Sequence, residues 1–148
     1  MHTIIKFKKL APTAIIPKYS SDEAAGADIH ACQGEKIVIN PHETVLIHTQ
    51  IALEMPKGIV GLVFARSGLA TKKGIAPANK VGVIDSDYRG EIMVPLHNHS
   101  NEVVSFDDGD RIAQIIFMPY LTASFEETDI LNETKRADGG FGSTGVSK

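Results

Sequence analysis

The sequence predicts an all-β protein with a jelly-roll-like architecture, a distorted barrel or sandwich. Apolar segments recur roughly every 8–12 residues, with short runs rich in Gly, Pro, Asp and Asn between them, which is the strand spacing of such folds. The chain has 148 residues, which favours one domain that can bury a core of its own. One short helix and a flexible carboxyl-terminal tail complete the predicted architecture.

Composition narrows the class of protein. A hydrophobic content of 43% and a charged content of 22% are typical of soluble globular proteins. The net charge of −3 argues against a nucleic-acid partner, because general nucleic-acid binders are usually basic over one face. No apolar run reaches transmembrane length, and Met1–Leu10 lacks a signal-peptide core. With Cys32 as its single cysteine, the chain is expected to be cytoplasmic, or nuclear or organellar if its source is eukaryotic or viral, and to have no membrane partner.

The first half of the chain alternates predicted strands with turns. Ile4–Leu10 alternates with period two and predicts a half-buried strand, and Pro12–Ser21 predicts a loop. Further strands, separated by turns at residues 41–43 and 55–58, are predicted at Ala24–Ala31, Lys36–Asn40, Thr44–Leu53 and Ile59–Ala65.

One segment predicts a helix. In Ser67–Gly74, Ser67 can cap the start, lysines occupy the last turn, and Gly74 can end the helix. Free backbone N–H groups at its start, beside Arg66, would suit an anion. A plain connector between sheets is the alternative interpretation.

Residues 81–98 predict a β-hairpin. Two apolar runs, Val81–Ile84 and Ile92–Leu96, flank a polar turn that contains Asp85 and Tyr88. Because Asp85 directly follows an apolar strand, its carboxylate is expected at the rim of the core, partly desolvated and suited to general-base chemistry. The alternative is a solvated turn without a catalytic role.

The second half adds two strands, at Glu102–Phe106 and Arg111–Met118, with a turn around Gly109 between them. Met93 and Met118 are expected in the core. His97 and His99 could share one face of a strand and bind a metal ion, but without a third ligand a surface or interface position is favoured. Asp110 and Arg111 could form a structural ion pair.

The carboxyl end changes in composition. Residues 132–148 are rich in Gly, Ser and Thr and carry too few apolar side chains to fold alone, so we expect a folded domain over 1–131 and a flexible tail over 132–148. A frayed end is the simplest interpretation. Arg136 and the glycine-rich run after it also supply what a phosphate cradle needs, namely accessible N–H groups, hydroxyls and a cation.

Taken in order, five segments of this chain resemble the motifs of the trimeric dUTPase family. Each is weak alone, but together they span residues 25–145 in the family's order and spacing. The segments are Ala25–Ile29, Ala65–Ala70, Gly82–Gly90, Gly109–Gln114, and Arg136 with Gly139–Gly145.

The resemblance implies an enzyme that hydrolyses dUTP to dUMP and pyrophosphate with Mg²⁺, which limits uracil in DNA and supplies dUMP for dTMP synthesis. It also implies a jelly-roll homotrimer whose active sites are shared between subunits. Asp85 would activate the water that attacks the α-phosphorus, and Asp28 would hold a metal-bound water without contacting the metal itself.

The same resemblance implies contacts to each part of the nucleotide. Phosphates would be held by two groups of residues, one in the folded domain and one in the tail. The uracil would be read by backbone and amide groups and covered by an aromatic ring, and Tyr88 would pack on the deoxyribose. The implied substrate-binding residues are Arg66, Ser67, Gly68 and Gln114 at the phosphates, Arg136, Gly142, Ser143 and Thr144 in the tail, Asn79, Gly82, Val83, Ile84 and Phe141 at the uracil, and Tyr88 and Met93 beside them.

Two other functions stay open at the level of sequence. The first is a dCTP deaminase, which the same resemblance of fold makes possible. That reaction needs a water activated at the nucleotide base, usually by a glutamate. Tyr88 and the glycine-rich tail instead match the dUTPase pattern. A nucleotide-sensing module that binds dUTP to regulate a partner is an added role that the sequence does not exclude.

Overall fold

A computed structural model describes residues 3–140. The single helix of this part, α1, lies between the seventh and eighth strands. In chain order the elements are β1 (Lys6–Lys9), β2 (Lys18–Tyr19), β3 (Ala27–His30), β4 (Ile37–Ile39), β5 (Thr44–Ile47), β6 (Ile51–Glu54), β7 (Ile59–Phe64), α1 (Ser67–Lys73), β8 (Ile75–Pro77), β9 (Gly82–Ile84), β10 (Val94–Asn98), β11 (Val104–Phe106) and β12 (Arg111–Pro119).

The strands form four antiparallel sheets. The largest has five strands in the order β2-β3-β12-β7-β9, and a three-stranded sheet has the order β5-β10-β8. Strand β1 pairs with β6, and β11 pairs with β4. Neighbours in these sheets are mostly distant in sequence, as in a jelly roll, where chain connections cross between layers. The predicted all-β jelly-roll class is confirmed.

The core lies between the inner faces of these sheets. Strand β10 alternates buried and half-buried residues, so Val94 and Leu96 point inward and are fully buried. Ile39 of β4, Ile47 of β5 and Ala113 of β12 meet them in one hydrophobic cluster. Burial of such aliphatic side chains contributes about 1.5–3 kcal/mol each, so this cluster fixes the sheets that carry the polar residues described below.

The predicted hairpin of residues 81–98 is wrong. Strand β9 pairs with β7, whereas β10 pairs with β5 and β8, so the two apolar runs belong to different sheets. Residues 85–93 connect these sheets. Turn residues between two apolar runs predict that the chain changes direction there. They do not predict which strand each run pairs with, because pairing depends on which partner buries its apolar face.

The long strand predicted over Thr44–Leu53 is two strands, β5 and β6. The chain bends at residues 48–50, where Gln50 adopts the left-handed region with φ 55°. Thr49 is buried at this bend, and its hydroxyl donates a 2.5 Å hydrogen bond to the carbonyl of Ile92. The break follows from these non-local contacts, because an apolar run alone predicts a continuous strand.

Several smaller expectations also need correction. Strand β1 is exposed along its length instead of half-buried, and β2 lies inside the segment predicted as the loop Pro12–Ser21. Strand β8 was not predicted. Met93 and Met118 are 36% and 46% exposed, so neither is a core residue.

The predicted helix is confirmed, but its start differs. Arg66 occupies the N-cap position with φ −82° and ψ 132°, and Ser67 is the first helical residue, so the expected side-chain cap by Ser67 is wrong. Gly74 ends the helix in the left-handed region at φ 65°, and its N–H donates to the carbonyl of Leu69. Within residues 3–140, no helical segment has the length and hydropathy needed to cross a bilayer.

Candidate active site

Strand register brings residues of three motifs to one end of the five-stranded sheet. Gln114 of β12 lies opposite Asp28 of β3 on one side and Phe64 of β7 on the other. Gly82 of β9 lies opposite Val63, in the next row. Because opposite residues of antiparallel strands share a face, Asp28 and Gln114 present their side chains together.

Asp28 is the electrostatic centre of this end of the sheet. Its side chain is 10% exposed, and its carboxylate accepts hydrogen bonds from Ser20 Oγ at 2.6 Å, Arg66 Nε at 2.8 Å and Arg111 Nη1 at 3.2 Å. Burial would raise the pKa of Asp28, but the Ser20 hydroxyl and the two guanidinium groups outweigh that effect, so the pKa lies below its ordinary value. Asp28 is therefore a carboxylate held between two arginines.

Arg66 connects this network to the helix. Its Nη1 donates to the carbonyl of Arg111 at 3.4 Å, and its own carbonyl accepts the N–H groups of Leu69 and Ala70 at 3.0 Å. The N–H groups of Ser67 and Gly68 belong to the first turn of α1, which has no intrahelical acceptor for them. A guanidinium and free amides at one place suit a phosphate.

The side chain of Gln114 lies between the first and second motifs in space. Its Nε2 donates to the carbonyl of Ala65 at 2.9 Å, and a Cβ placed on Gly26 would lie 2.5 Å from its Oε1. Gly26 therefore allows the amide to lie flat against the start of β3. The second hydrogen of Nε2 remains for another acceptor.

The third motif forms the edge of the sheet. Asn79 lies beside Gly82, where an added Cβ would come within 3.5 Å of Asn79 Nδ2. Val83 is 62% exposed, and Ile84 is half-buried. Among residues 3–140, β9 is a terminal strand of its sheet, so one side of its backbone offers N–H and C=O groups that no neighbouring strand pairs with. Recognition of a planar base requires such groups.

The loop after β9 carries Asp85 and Tyr88. The N–H of Tyr88 donates to the carbonyl of Asp85 at 3.1 Å, and the Tyr88 hydroxyl donates to the carbonyl of Glu91 at 3.0 Å. The Tyr88 ring lies directly over Gly90, where a Cβ would clash with it. Asp85 is exposed in this single chain, so the expected partial desolvation is wrong for the isolated subunit.

One chain does not bring Asp85 together with the end of the sheet that carries Asp28 and Gln114. Ile84 lies opposite Gly61, and Asp85 continues beyond Gly61, away from the helix. The end that carries Gln114 lies in the opposite direction, at Phe64 and beyond, and the three residues of strand from Gly61 to Phe64 span roughly 10 Å. Asp85 and Tyr88 therefore form one group of predicted residues, and Asp28, Arg66, Ser67, Gly68 and Gln114 form another.

The tail forms a third group. Arg136 is exposed, and its Nε donates to the carbonyl of Gly139 at 2.9 Å, inside the tail itself. No hydrogen bond or ion pair joins it to the other two groups within residues 3–140. Phe141, Gly142, Ser143 and Thr144 were predicted to bind substrate and lie outside the described residues.

Sequence reasoning missed several residues beside Asp28. Ser20 and Arg111 both bind its carboxylate, so Arg111 pairs with Asp28 and not with Asp110 as expected. His30 has a buried Nδ1 without a hydrogen-bond partner among the described residues, and burial lowers its pKa. These side chains line a cleft of about 360 Å³. No local sequence signal marks Arg111, because its place opposite His30 depends on the register of β3 and β12.

The donor set at this end suits a divalent ion that keeps most of its ligands on substrate and water. No cluster of three or more His, Cys, Asp or Glu side chains with metal-binding geometry occurs within the described ranges. Asp28 is the one carboxylate in its network, which fits Mg²⁺, because this ion is usually held by few carboxylates together with phosphate oxygens. His97 and His99 stack edge to face with ring centroids 4.4 Å apart, and Thr44 Oγ1 contacts His97 Nδ1 at 2.9 Å.

Comparison with known proteins decides the family. The sequence model of the family described as dUTPase matches residues 13–145, which is most of the chain. The chain belongs to the dUTPase family. The deoxyuridine 5'-triphosphate nucleotidohydrolase of Desulfitobacterium hafniense is 52% identical over 133 residues, covering 89% of this chain and 88% of the relative. The deoxyuridine 5'-triphosphate nucleotidohydrolase of Nautilia profundicola is 48% identical over 141 residues, covering 95% of this chain and 98% of the relative.

Solved dUTPase structures share the fold. A Staphylococcus bacteriophage 80alpha dUTPase, crystallised with dUPNHPP, superposes with a TM-score of 0.87 at 27% identity and covers 98% of this chain and 100% of the neighbour. The dUTPase match includes all three residue groups described above, since it runs from before Asp28 to beyond Arg136.

Proposed function

We propose that this protein hydrolyses dUTP to dUMP and pyrophosphate. The observation that carries the proposal is the register of the five-stranded sheet, which gathers Asp28, Arg66 and Gln114 beside the free amides of Ser67 and Gly68. This end has guanidinium and N–H donors for a polyphosphate. Membership of the dUTPase family supports dUTP as the nucleotide.

In the proposed mechanism, Asp85 is the general base. Its carboxylate takes a proton from water as the water oxygen attacks the α-phosphorus, and the bond from that phosphorus to the bridging oxygen of the β-phosphate breaks. Pyrophosphate leaves with the electrons of that bond, and dUMP gains the water oxygen. The donors of Arg66, Ser67, Gly68 and Gln114 stabilise charge that grows on the departing phosphates.

Mg²⁺ is the proposed cofactor, and it would neutralise phosphate charge and help to orient the triphosphate. Asp28 would accept a hydrogen bond from a metal-bound water. Its ion pairs with Arg66 and Arg111 support the charged carboxylate that this role needs. The lowered pKa of Asp28 has the same consequence at neutral pH.

Selection of the base and sugar is proposed for the third motif. Asn79 and the free backbone edge of Gly82, Val83 and Ile84 would read the polar edge of uracil, and their close approach would leave no room for a 5-methyl group. Tyr88 would pack on the deoxyribose and clash with a 2′-hydroxyl, a position supported by its seat between Gly90 and the Glu91 carbonyl. Met93, partly exposed beside this loop, would add an apolar contact.

A homotrimer with shared sites is the proposed assembly. The separation of Asp85 from Gln114 within one chain supports it, because the two ends of a nucleotide can be served together when different subunits contribute them. Exposed apolar side chains of the segment after β12 support it too, since monomers rarely leave such a group in water. Their exposed fractions are 98% for Leu121 and Phe125, 83% for Ile130 and 81% for Leu131.

We further propose that residues 1–131 form the folded domain and that 132–148 form a tail which closes over bound dUTP. Arg136, Gly142, Ser143 and Thr144 would bind the γ-phosphate end, and Phe141 would cover the uracil. Closure would exclude water and align the triphosphate. Turnover of this kind would limit uracil in DNA and supply dUMP for dTMP synthesis.

One experiment tests the proposed reaction. Pyrophosphate release is measured in parallel from dUTP, dTTP, dCTP and UTP with Mg²⁺, and nucleotide products are separated by chromatography. We expect dUMP and pyrophosphate from dUTP, with much slower release from the other three. Ammonia release from dCTP without pyrophosphate would assign the protein to the deaminase class instead, and equal turnover of all four would reject the specificity.

A further inference from the structure

Glu91 is the most heavily bonded carboxylate outside the Asp28 network. It follows the loop of Asp85 and Tyr88, and its side chain is 16% exposed. Its Oε1 accepts the backbone N–H groups of Gln50 at 2.8 Å and Thr49 at 3.1 Å. Its Oε2 accepts the Nδ1 proton of His48 at 3.0 Å, since an ionised carboxylate can only accept.

The same residue also holds the loop through its backbone. The Glu91 carbonyl accepts the hydroxyl proton of Tyr88 at 3.0 Å, and Glu91 forms a bridge to Ala52 of β6. Tyr88 in turn fixes the backbone of Asp85 through its N–H. Glu91 and Tyr88 therefore form a continuous set of contacts from the 48–50 bend to Asp85.

The 48–50 bend is itself anchored on its other side. The carbonyl of His48 accepts the N–H of Cys32 at 2.8 Å, and the backbone N–H of His48 donates to Gln33 Oε1 at 3.1 Å. The carbonyl of Gln50 accepts the N–H of Leu10 at 2.8 Å. The bend is thus part of the rigid domain, and an attachment to it restrains whatever is attached.

We propose that Glu91 is a positioning residue. Its carboxylate holds the loop of Asp85 and Tyr88 against the 48–50 bend and thereby orients both side chains. This inference rests on the proposed dUTP hydrolysis, in which Asp85 serves the chemical step and Tyr88 the choice of sugar. Displacement of a reacting group by about 1 Å can cost on the order of 10²-fold in rate, so a loosened loop has a measurable effect.

Burial would raise the pKa of Glu91, but hydrogen bonds from His48 and the backbone of Gln50 and Thr49 outweigh it and lower the pKa, so the carboxylate is ionised at neutral pH. The contacts require an acceptor and not specifically a charge. In Glu91→Gln, one amide oxygen still accepts from Thr49 and Gln50, and the amide nitrogen can donate to neutral His48. In Glu91→Ala all three contacts are lost.

The test compares Glu91→Ala and Glu91→Gln with wild type, and it uses Gln33→Ala as the matched control. That control removes a hydrogen bond to His48 on the side of the bend that does not face the loop. Hydrogen exchange of the amides of residues 85–90 is measured in each folded variant. The values of kcat and KM are measured for dUTP and UTP at neutral pH.

We expect Glu91→Ala to speed exchange in the loop, to lower kcat for dUTP by about 10- to 100-fold, and to narrow the preference for dUTP over UTP. Glu91→Gln should stay within about threefold of wild type, and Gln33→Ala should leave loop exchange and substrate preference unchanged. A Glu91→Ala protein that loses thermal stability but keeps the wild-type kcat, preference and loop exchange would overturn the proposal.

If Glu91→Ala does not fold, His48→Ala decides, because it removes only the Oε2 contact. Faster loop exchange with a smaller fall in kcat supports the proposal, and unchanged exchange and kcat overturn it. Failure of wild type to hydrolyse dUTP would reject the proposed function itself. Loop exchange, which needs no substrate, would then still show whether Glu91 restrains residues 85–90.

Discussion

The amide oxygen of Gln114 occupies the position where a side chain on residue 26 would begin, since a Cβ on Gly26 would lie 2.5 Å from it. The glycine of the first motif and the glutamine of the fourth are therefore one structural unit. Gln114 is held there by its hydrogen bond to the Ala65 carbonyl, one residue before Arg66. This unit sets where the second N–H of the Gln114 amide points.

Gly26→Ala is expected to displace Gln114 without unfolding the protein. The clash falls on the far end of a flexible side chain, so the amide can rotate away at modest cost, but it then leaves the position proposed to bind phosphate. We expect KM for dUTP to rise about 10- to 150-fold, which corresponds to loss of one hydrogen bond to a charged group. Steady-state kinetics and thermal unfolding measure the two effects separately.

The double variant gives the control. In a Gln114→Ala background the clashing Oε1 and Cδ atoms are gone and only the Cβ contact at 3.3 Å remains, so Gly26→Ala should add little further loss of dUTP affinity. Additive losses would show that Gly26 acts through something other than Gln114.

Asp85→Asn should lower kcat by about 10²- to 10⁴-fold and leave the dissociation constant for dUTP nearly unchanged, because the amide keeps the size of the side chain but cannot take a proton. Rapid-quench kinetics and equilibrium binding supply the two numbers. Asp87→Asn, in the same exposed turn, is the matched control and should retain wild-type turnover. A normal kcat in Asp85→Asn would remove Asp85 from the mechanism.

Tyr88→Ala should erode discrimination against UTP more than it weakens binding of dUTP. The ring packs over Gly90, so its removal opens the space that a 2′-hydroxyl would need. The ratio of kcat/KM for dUTP to that for UTP is the measurement. Tyr88→Phe keeps the ring and loses the hydrogen bond to the Glu91 carbonyl, so it should retain most of the discrimination. Rejection of UTP by Tyr88→Ala as strong as that by wild type would assign the selection to another residue.

Asp28 should make stability depend on acid pH. Its pKa is lower in the folded protein than in the unfolded chain, so its contribution is present above about pH 4 and is lost as pH falls through the folded pKa. Asp28→Asn should reduce the free energy of unfolding at pH 7 by about 1–3 kcal/mol, less than for a fully buried pair because Arg111 is half exposed. The difference from wild type should shrink at pH 3.

Urea unfolding at fixed protein concentration gives these free energies, since an oligomer's stability depends on concentration. Asp22→Asn, on an exposed loop, should change the free energy of unfolding at neither pH. A pH-independent difference between wild type and Asp28→Asn would contradict the assignment of the ion pairs.

A chain that ends at Lys135 should fold, assemble and lose most activity, because the removed residues add little to the core. Mixing it with Asp85→Asn subunits tests the sharing of sites. If the loop of Asp85 and the tail come from different chains, about a quarter of the sites in random trimers of an equal mixture receive both intact parts. Neither parent protein has such sites. No recovery after demonstrated subunit exchange would place loop and tail on one chain, and full activity of the shortened protein alone would reject closure by the tail.

Sequence patterns predicted the fold class, most strands and the helix, because period and turn chemistry are local. They did not predict strand partners. The local pattern predicts one hairpin from Val81–Ile84 and Ile92–Leu96. In the structure each run pairs instead with a strand from an earlier part of the chain. Nothing local marks Gln50, a non-glycine residue with positive φ, as the place where a strand breaks.

The site was predicted in its composition but not in its arrangement. Resemblance named Asp28, Arg66 and Gln114, whereas the pairing of Asp28 with Arg111 depends on two strands that are more than eighty positions apart. The solvent exposure of Asp85 could not be predicted from the local sequence either, because it depends on what packs over the loop. Glu91 carried no sequence signal, since its partners are backbone groups and one histidine of a bend that was not predicted.

The distance between Asp85 and Gln114 has a consequence for how such an enzyme would behave in a dilute cell extract. If the two halves of each site come from different subunits, a newly made or dissociated chain is inert toward the nucleotide pool. Specific activity would then fall on dilution below the dissociation constant of the assembly. Molecules that wedge subunits apart would inhibit without resembling a nucleotide.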